Sequence, residues 1–583
     1  MNALNVERSV SGQPWRWRRS GEPGLTPDAL VDELLLARGV ERDDLARHRN
    51  PTIRDFLPDP SYFQDMDKGA KRLADAIEAD ETIAIFGDYD VDGATSAALL
   101  ALLFRRLGAE PMIYIPDRLM EGYGPSGKAL CELKDKGASL AICVDCGAQA
   151  FEALDEAKAA ELEVIVVDHH QCASLLPAAF AMINPNRLDE SVLGATHGHL
   201  AAVGMAFLLG VALLRELRGR GRFVGGTPEP KILDLLDLVA LGTVADVARL
   251  KSLNRAFVTQ GLKIMAARQN IGLSALADAG RLVKPPSCRD LGFVLGPRIN
   301  AGGRVGKSDL GVRLLTSTDP EEARTIAAEL DRLNEERRAI EMLVTEQATE
   351  QARAQVDAPL ILVMSAGWHQ GVIGIVAGRL KERFGRPAIV VAECEDGTGK
   401  GSGRSISGVD LGAAILAAKD SGLLVAGGGH AMAAGLTLPP RGLEPLRDFL
   451  HERLAAGIET SRDGRALLLD ALLTPGGVAA ALCDALDAAG PYGAGWPAPR
   501  VAAGPARLIK TGIVGDGHVR GIACGDDGKS FKWIAFRSAA TELGQALLAS
   551  PGDERWWLAG TIKRDEYNGG NAAEMHLEDA AVA

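Results

Sequence analysis

A multidomain α/β protein is what this sequence predicts, and three observations carry the prediction. Short apolar runs at 82–87, 111–115, 140–144, 164–167 and 179–183 alternate with Ala-rich or amphipathic segments. That is the pattern of a parallel sheet covered by helices on both faces. A second stretch of the same kind follows at 358–455, after a segment from Asp319 that has no helix breaker before about Val356. The end of the chain, 464–583, breaks into closely spaced β-like runs and turns, which suggests a small barrel. At 583 residues the chain is long enough for a series of such domains.

Taken in order, residues 1–70 are mixed and polar. Trp15-Arg16-Trp17-Arg18-Arg19 reads as an aromatic strand tied to a domain edge, although such residues can also stack on bases. Residues 71–270 form the first α/β domain. Residues 271–318 read as a basic Gly/Arg loop region, where Arg281, Lys284, Arg289, Arg298, Arg304 and Lys307 face one acid, Asp290, among many glycines. A connecting helix is expected over 319–357, opened by Asp319 as cap, Pro320 in the first turn and acids behind it. At 1.5 Å per residue it spans roughly 55 Å, enough to join two lobes.

Composition narrows the function. With 47% hydrophobic and 24% charged residues the chain has ample material for a core. A net charge of −13 rules out a polycation that coats nucleic acid, but local basic stretches can still contact phosphate. The first residues lack an apolar signal segment and no run spans a bilayer, so no membrane is expected. The eight scattered cysteines fit a reduced cytoplasm. Cys143 and Cys146 form a CxxC, but no second pair follows for zinc, and the motif begins inside a strand rather than at a helix start.

The chemistry concentrates where the first strands stop. The first ends at Asp88-Tyr89-Asp90-Val91-Asp92-Gly93, the third at Asp145-Cys146-Gly147, the fourth at Asp168-His169-His170. A calcium loop starting at Asp88 is excluded because its twelfth position is Leu99 rather than Glu, and a strand rather than a helix precedes it. In parallel sheets ligands gather beyond the carboxyl ends of the strands. A helix expected over 231–250 adds Asp246. Asp88, Asp90, Asp92, Asp145, His169 and Asp246 make an oxygen-rich set with one imidazole, suited to Mn²⁺ or Mg²⁺. Five carboxylates exceed what one cation needs, so two divalent cations are expected, the arrangement that clamps a phosphoryl centre and activates water. Phosphoester hydrolysis follows from these residues.

The strings FGDYDVDGATS, VDCG, VDHH and LGTVADV, in this order, resemble the four motifs of the DHH phosphoesterase superfamily. GGGHAMAAG resembles the glycine-rich signature of the DHH-associated second domain. IPDRLMEGYG, GPRINAGGRVG and PYGAGWPAPR resemble the RecJ family of single-strand-specific 5′→3′ DNA exonucleases, and the closing GTIKRDEYNGGNAAEMHLEDA resembles its oligonucleotide-binding (OB) barrel.

The resemblance implies a DHH domain, a connecting helix, a DHH-associated domain and an OB-type barrel. It assigns one cation to Asp90 and Asp145 with Asp88 nearby. The other would sit on Asp92, His169 and Asp246, with Asp145 bridging. His170 would face the scissile phosphate, and Asp168 would orient His169. Arg118, Ser402 and Arg404 would form a 5′-phosphate pocket. Arg298, Asn300 and Arg304 would hold the DNA backbone beside the metals, and Gly428 and Gly429 would let the strand approach next to His430. Lys532, Trp533, Trp556 and Trp557 are candidate strand contacts on the barrel, the alternative being that the aromatics are buried in it. The expected substrate is single-stranded DNA, cut into 5′-mononucleotides during recombination and repair. A helicase and a single-strand-binding protein are the implied partners, and a monomer fits a self-contained chain. The rival readings are a DHH phosphodiesterase on short or cyclic oligonucleotides, and a non-catalytic DNA-binding scaffold.

Overall fold

The computed structural model describes residues 2–18, 26–118, 120–463, 466–550, 552–565 and 570–583, with no side-chain account of 460–463. Two compact units emerge, one of Phe56–Asp463 and one combining Met1–Asp55 with Gly464–Ala583.

The larger unit opens with a five-stranded parallel sheet. Its strands are β1 (Ile83–Gly87), β2 (Met112–Tyr114), β3 (Leu140–Val144), β4 (Glu163–Val167) and β5 (Ala181–Ile183), in the order β2-β1-β3-β4-β5. Every residue of β1 and β3 is buried. Such strands need apolar side chains on both faces, which is why they read as continuous runs. Helix α1 (Val91–Leu107) returns from β1, capped by Asp90 at its start and by Gly108 in the left-handed region at its end. Behind it pack α2 (Ala202–Gly219) and α3 (Leu236–Ala245). The segment expected as one helix over 231–250 starts with a 3₁₀ turn, Ile232–Leu235, and its α-helix stops with Asp246 as C-cap.

The stretch at 271–318 is not a loop region. It is mostly helical, including Ile271–Ala279, a π-type turn at Leu291–Leu295, α4 (Gly296–Val305) and Leu310–Thr316. Pro297 lies in the first turn of α4, directly after the π-type turn. Gly303 lets α4 press on the preceding domain: a Cβ there would lie 3.0 Å from the Tyr89 carbonyl oxygen. The glycines that suggested a loop therefore serve close helix packing.

Helix α5 (Pro320–Arg353) follows as expected, capped by the Asp319 carboxylate. A mixed sheet comes next, of β6 (Ile361–Ala366), β7 (Ala388–Glu393), β8 (Gly399–Arg404), β9 (Ala426–His430) and β10 (Ala433–Leu438), ordered β9-β10-β8-β7-β6. Helix α6 (Ile373–Phe384) connects the parallel pair β6–β7 and packs on β8.

In the other unit, β11 (Val501–Val514), β12 (His518–Cys524), β13 (Ser530–Ala535), β14 (Arg555–Arg564) and β15 (Ala573–Val582) close into a barrel, because β11 pairs with both β12 and β14. The Trp15–Trp17 strand pairs in parallel with Leu467–Leu469, and Trp15 is buried with its indole donating to Asp579 at 2.9 Å. Arg19 lies outside the described residues. Trp533 is fully buried and Trp556 nearly so. Trp557 packs against the Trp15 core, and Lys532 pairs with Asp565 at 2.8 Å. Trp533 and Trp556 therefore take the buried alternative, and Trp557 is half-buried against the N-terminal strand.

Candidate metal centre and phosphate pocket

Each acidic residue of the centre is fixed by the turn that carries it. Asp90 caps α1, its Oδ1 accepting from the amides of Asp92 at 2.8 Å and Gly93 at 3.1 Å. Gly93 is required for the turn, since a Cβ there would fall 2.4 Å from the Asp88 carbonyl oxygen. Asp92 accepts from the Ala202 and Val203 amides at 2.7 and 2.9 Å, tying α1 to the start of α2. Asp145 has φ +61°, a conformation a non-glycine residue adopts only when its surroundings impose it.

Two sets of side chains converge. Asp88, Asp90 and Asp145 bring one ligand atom each within 4.8 Å of one another, and so do Asp92, His169 and Asp246. His169 joins the two sets: its Nε2 lies 3.2 Å from Asp145 Oδ1 and 3.8 Å from Asp92 Oδ2. Burial, then mutual repulsion, pushes the carboxyls of Asp88, Asp92, Asp145 and Asp246 above their ordinary range. Asp88 Oδ1, Asp145 Oδ1 and His169 Nε2 are buried without a hydrogen-bond partner. Stranded acceptors and unpaid negative charge are what bound cations would relieve, so the residues present fit a pair of divalent ions.

Asp168 differs. Its Oδ2 accepts from the Ala148 amide at 3.0 Å, and its Oδ1 from the amides of His169 and His170. The same Oδ1 lies 2.7 Å from His170 Nδ1. Asp168 therefore orients His170, not His169 as the sequence suggested. Burial opposes charge on both groups, but their hydrogen bond wins, holding Asp168 down near 2 and raising His170 to about 9. Burial lowers His169 to about 4, which keeps that imidazole neutral. Asn184 and Asn186 brace this loop through the carbonyls of His170 and His169 at 2.8 and 2.6 Å.

Tyr123 was missed from sequence. Its hydroxyl donates to the Asp145 carbonyl at 3.1 Å and sits 3.2 Å from His170 Nδ1. Its place in IPDRLMEGYG, five residues after Arg118, was the available signal.

A positive cluster adjoins Asp88 and Asp90. Arg118 lies over the Tyr89 ring at 4.9 Å, and its charge acts on Asp88, Arg304 and Arg404. Arg304 is half-buried and donates to the Gly371 carbonyl at 2.8 Å; burial, then the Arg118 and Arg337 charges, lower it to about 10. Ser402 and Arg404 face the first turn of α6, where a Cβ on Gly374 would meet Ser402 Oγ at 2.9 Å and Arg404 Nη2 at 3.1 Å. Arginines, a hydroxyl and a helix N-terminus make an anion site.

Register extends this face. Gly428 and Ser402 both lie opposite Gly435, while His430 and Arg404 both lie opposite Ala433. Directly opposed residues share a face, so Gly428 and His430 stand beside the pocket and Gly429 points away. Arg298 is the exception among the expected backbone contacts. It is held by Asp331 at 2.8 Å and by the Val294 carbonyl, so its role is to fasten α4 to α5. Asn300 is half-buried four residues before Arg304 on the same helix face.

Sequence models of three families match in series: the DHH family N-terminal domain over 82–243, the DHHA1 domain over 357–456 and the RecJ OB domain over 469–579. The single-stranded-DNA-specific exonuclease RecJ of Dickeya dadantii is 39% identical, across 84% of this chain and 86% of that protein. The Escherichia coli protein of the same name is 37% identical, across 94% and 95%. The chain belongs to the RecJ family. A crystal structure of RecJ in complex with Mn²⁺ from Thermus thermophilus superposes with a TM-score of 0.75 at 28% identity, covering 97% of this chain and 79% of that one. A structure of exonuclease RecJ bound to manganese gives 0.57 at 33% identity, covering 68% and 95%.

Proposed function

We propose that this RecJ-family chain is a metal-dependent exonuclease that degrades single-stranded DNA from its 5′ end and releases 5′-mononucleotides. The observation that carries the proposal is the juxtaposition of two opposite, internally uncompensated charge clusters. One is a set of buried carboxylates suited to two divalent cations, Mn²⁺ or Mg²⁺; the other is an arginine pocket suited to a phosphate.

Bound at Asp88, Asp90, Asp145, Asp92, His169 and Asp246, the cations would neutralise charge at the scissile phosphate and lower the pKa of an attacking water. The protein's own groups do the rest. Arg118, Arg404 and Ser402, with the first turn of α6, grip the terminal 5′-phosphate. Arg304, Asn300, Gly428 and His430 line the approach. Only a strand end can fill that pocket while its first internal phosphodiester reaches the carboxylates, which sets the polarity. His170, charged below about pH 9 and aimed by Asp168 and Tyr123, presents Nε2–H toward the phosphate or the departing 3′ oxygen.

No helix among the described residues is long and apolar enough to cross a membrane. We place the enzyme in the cytoplasm, acting as a monomer on recombination and repair intermediates, with a helicase and a single-strand-binding protein supplying the strand. The decisive assay uses 5′-labelled single-stranded and duplex DNA with Mn²⁺, Mg²⁺ or EDTA. Label should leave first as mononucleotide from the single strand, and only with metal. Endonucleolytic fragments, or cleavage confined to dinucleotides, would refute the reading.

A further inference from the structure

Across the metal centre from the arginine pocket lies a second opening. The ligand set Asp88, Asp90 and Asp145 borders the arginines, whereas His169 and Asp246 form the floor of a cavity of about 420 Å³. That volume falls within the roughly 300–1,000 Å³ of small-molecule sites. Thr196 and His199 line one wall and Arg249 and Lys251 the other.

The cavity is built rather than incidental. Asn254, fully buried, donates to the His199 carbonyl at 2.7 Å and to the Arg249 carbonyl at 3.1 Å, so one amide fixes both walls. The loop between them bends sharply. Val247, next to Asp246, has φ +61°, and Ser252 has φ +46°. A β-branched residue in that region is strained, and strain of this kind persists where surroundings over-determine the backbone. The result turns Arg249 and Lys251 toward the opening. Both are exposed, and neither enters an ion pair among the described residues.

A strand whose terminal 5′-phosphate sits among Arg118 and Arg404, and whose first phosphodiester lies over the carboxylates, must continue away from the arginines. On this side the centre opens into the cavity. We propose that the cavity receives the nucleotide on the 3′ side of the scissile phosphate, and that Arg249 and Lys251 bind the phosphate that follows it. This subsite rests on the exonuclease reading above and names what that reading leaves open: the protein groups that hold the remaining strand after each cut. Retaining the shortened strand there would favour repeated cleavage.

The test compares two short substrates, pdTdT and pdTdTp, which differ only in the phosphate after the second nucleotide. In the wild-type protein the extra phosphate should raise kcat/KM about 10-fold or more through KM, as a charge-assisted contact does. In the Arg249→Ala/Lys251→Ala double variant the two substrates should become equivalent, the larger loss falling on pdTdTp. Calorimetry in EDTA, where nothing is cleaved, should show the same gain in affinity for pdTdTp and its loss in the variant. Equal handling of both substrates by the wild type would overturn the subsite, as would an undiminished preference in the variant. A variant that loses pdTdT cleavage in proportion would also overturn it, by showing a general disturbance of the centre. Failure of the wild type to release mononucleotide from any 5′-phosphorylated DNA is a different result and sinks the exonuclease reading itself.

Discussion

The carboxylate cluster at the ends of β1, β3 and β4 and the arginine cluster between α4, α6 and β8 are neighbours with opposite defects. In the first, burial and repulsion drive Asp88, Asp92, Asp145 and Asp246 toward their neutral forms. In the second, burial and like charge weaken the hold of Arg304 and Arg404 on their protons. Nearby Arg298, by contrast, is paired with Asp331 and stabilises packing. Arg298 is neutralised by a carboxylate, whereas Arg304 and Arg404 donate only to neutral oxygens, of Gly371 and of Ser402 and Gly403, among the described residues. In the function proposed above, divalent cations would complete the acids and the phosphate of a nucleic-acid end the arginines.

Removing the acid proposed to bridge the cations should break the comparison most completely. Asp145→Ala is expected to cut nuclease activity by more than ~10³-fold, while binding of single-stranded DNA, measured by anisotropy in EDTA, changes little. On the positive side, Arg404→Ala should lower kcat/KM about 10–100-fold for 5′-phosphorylated strands and leave 5′-hydroxyl strands nearly unaffected. That split, read in parallel steady-state assays, separates a phosphate grip from a general loss of fold. Tyr123→Phe should cost about 10-fold in kcat, with KM unchanged and the alkaline limb of the pH–rate profile displaced, because His170 loses an orienting partner.

The smallest effect concerns stability without metal. Asp92 and Asp246 have folded-state values raised to about 7 and about 9. Acids raised in the folded state contribute stability that is fully present below their unfolded value of about 3.9 and lost as pH rises through the folded values. The metal-free protein should therefore soften between about pH 4 and 9. The gain in Tm on adding Mn²⁺ should grow over the same window, by about 2–4 °C per kcal/mol. A gain that is flat with pH in scanning calorimetry would show that these carboxyls are not the ligands.

The strand ends were legible from sequence because a buried parallel strand is apolar on both faces, so the first acid after it marks the edge of the sheet. Asp88, Asp145 and Asp168 were found this way. Their division of labour was not legible. Whether Asp168 serves His169 or His170 turns on a hydrogen bond of 2.7 Å between residues two positions apart, which no spacing reveals. The helices at 271–318 were hidden by the glycines and prolines that make their close packing possible. Trp533 and Trp556 read as binding residues only while the face they occupy is unknown; strand alternation turns both into the barrel core. Arg298 and Arg304 illustrate the same limit, since a partner more than thirty residues away on α5 separates an arginine that fastens helices from one without a carboxylate partner among the described residues.

Anomalous diffraction from crystals soaked in Mn²⁺ tests the two-cluster account most directly. Two peaks should appear, one among Asp88, Asp90 and Asp145 and one among Asp92, His169 and Asp246, with Asp145 touching both. No peak at either position, or a single ion held by Asp168 and His170 instead, would contradict it.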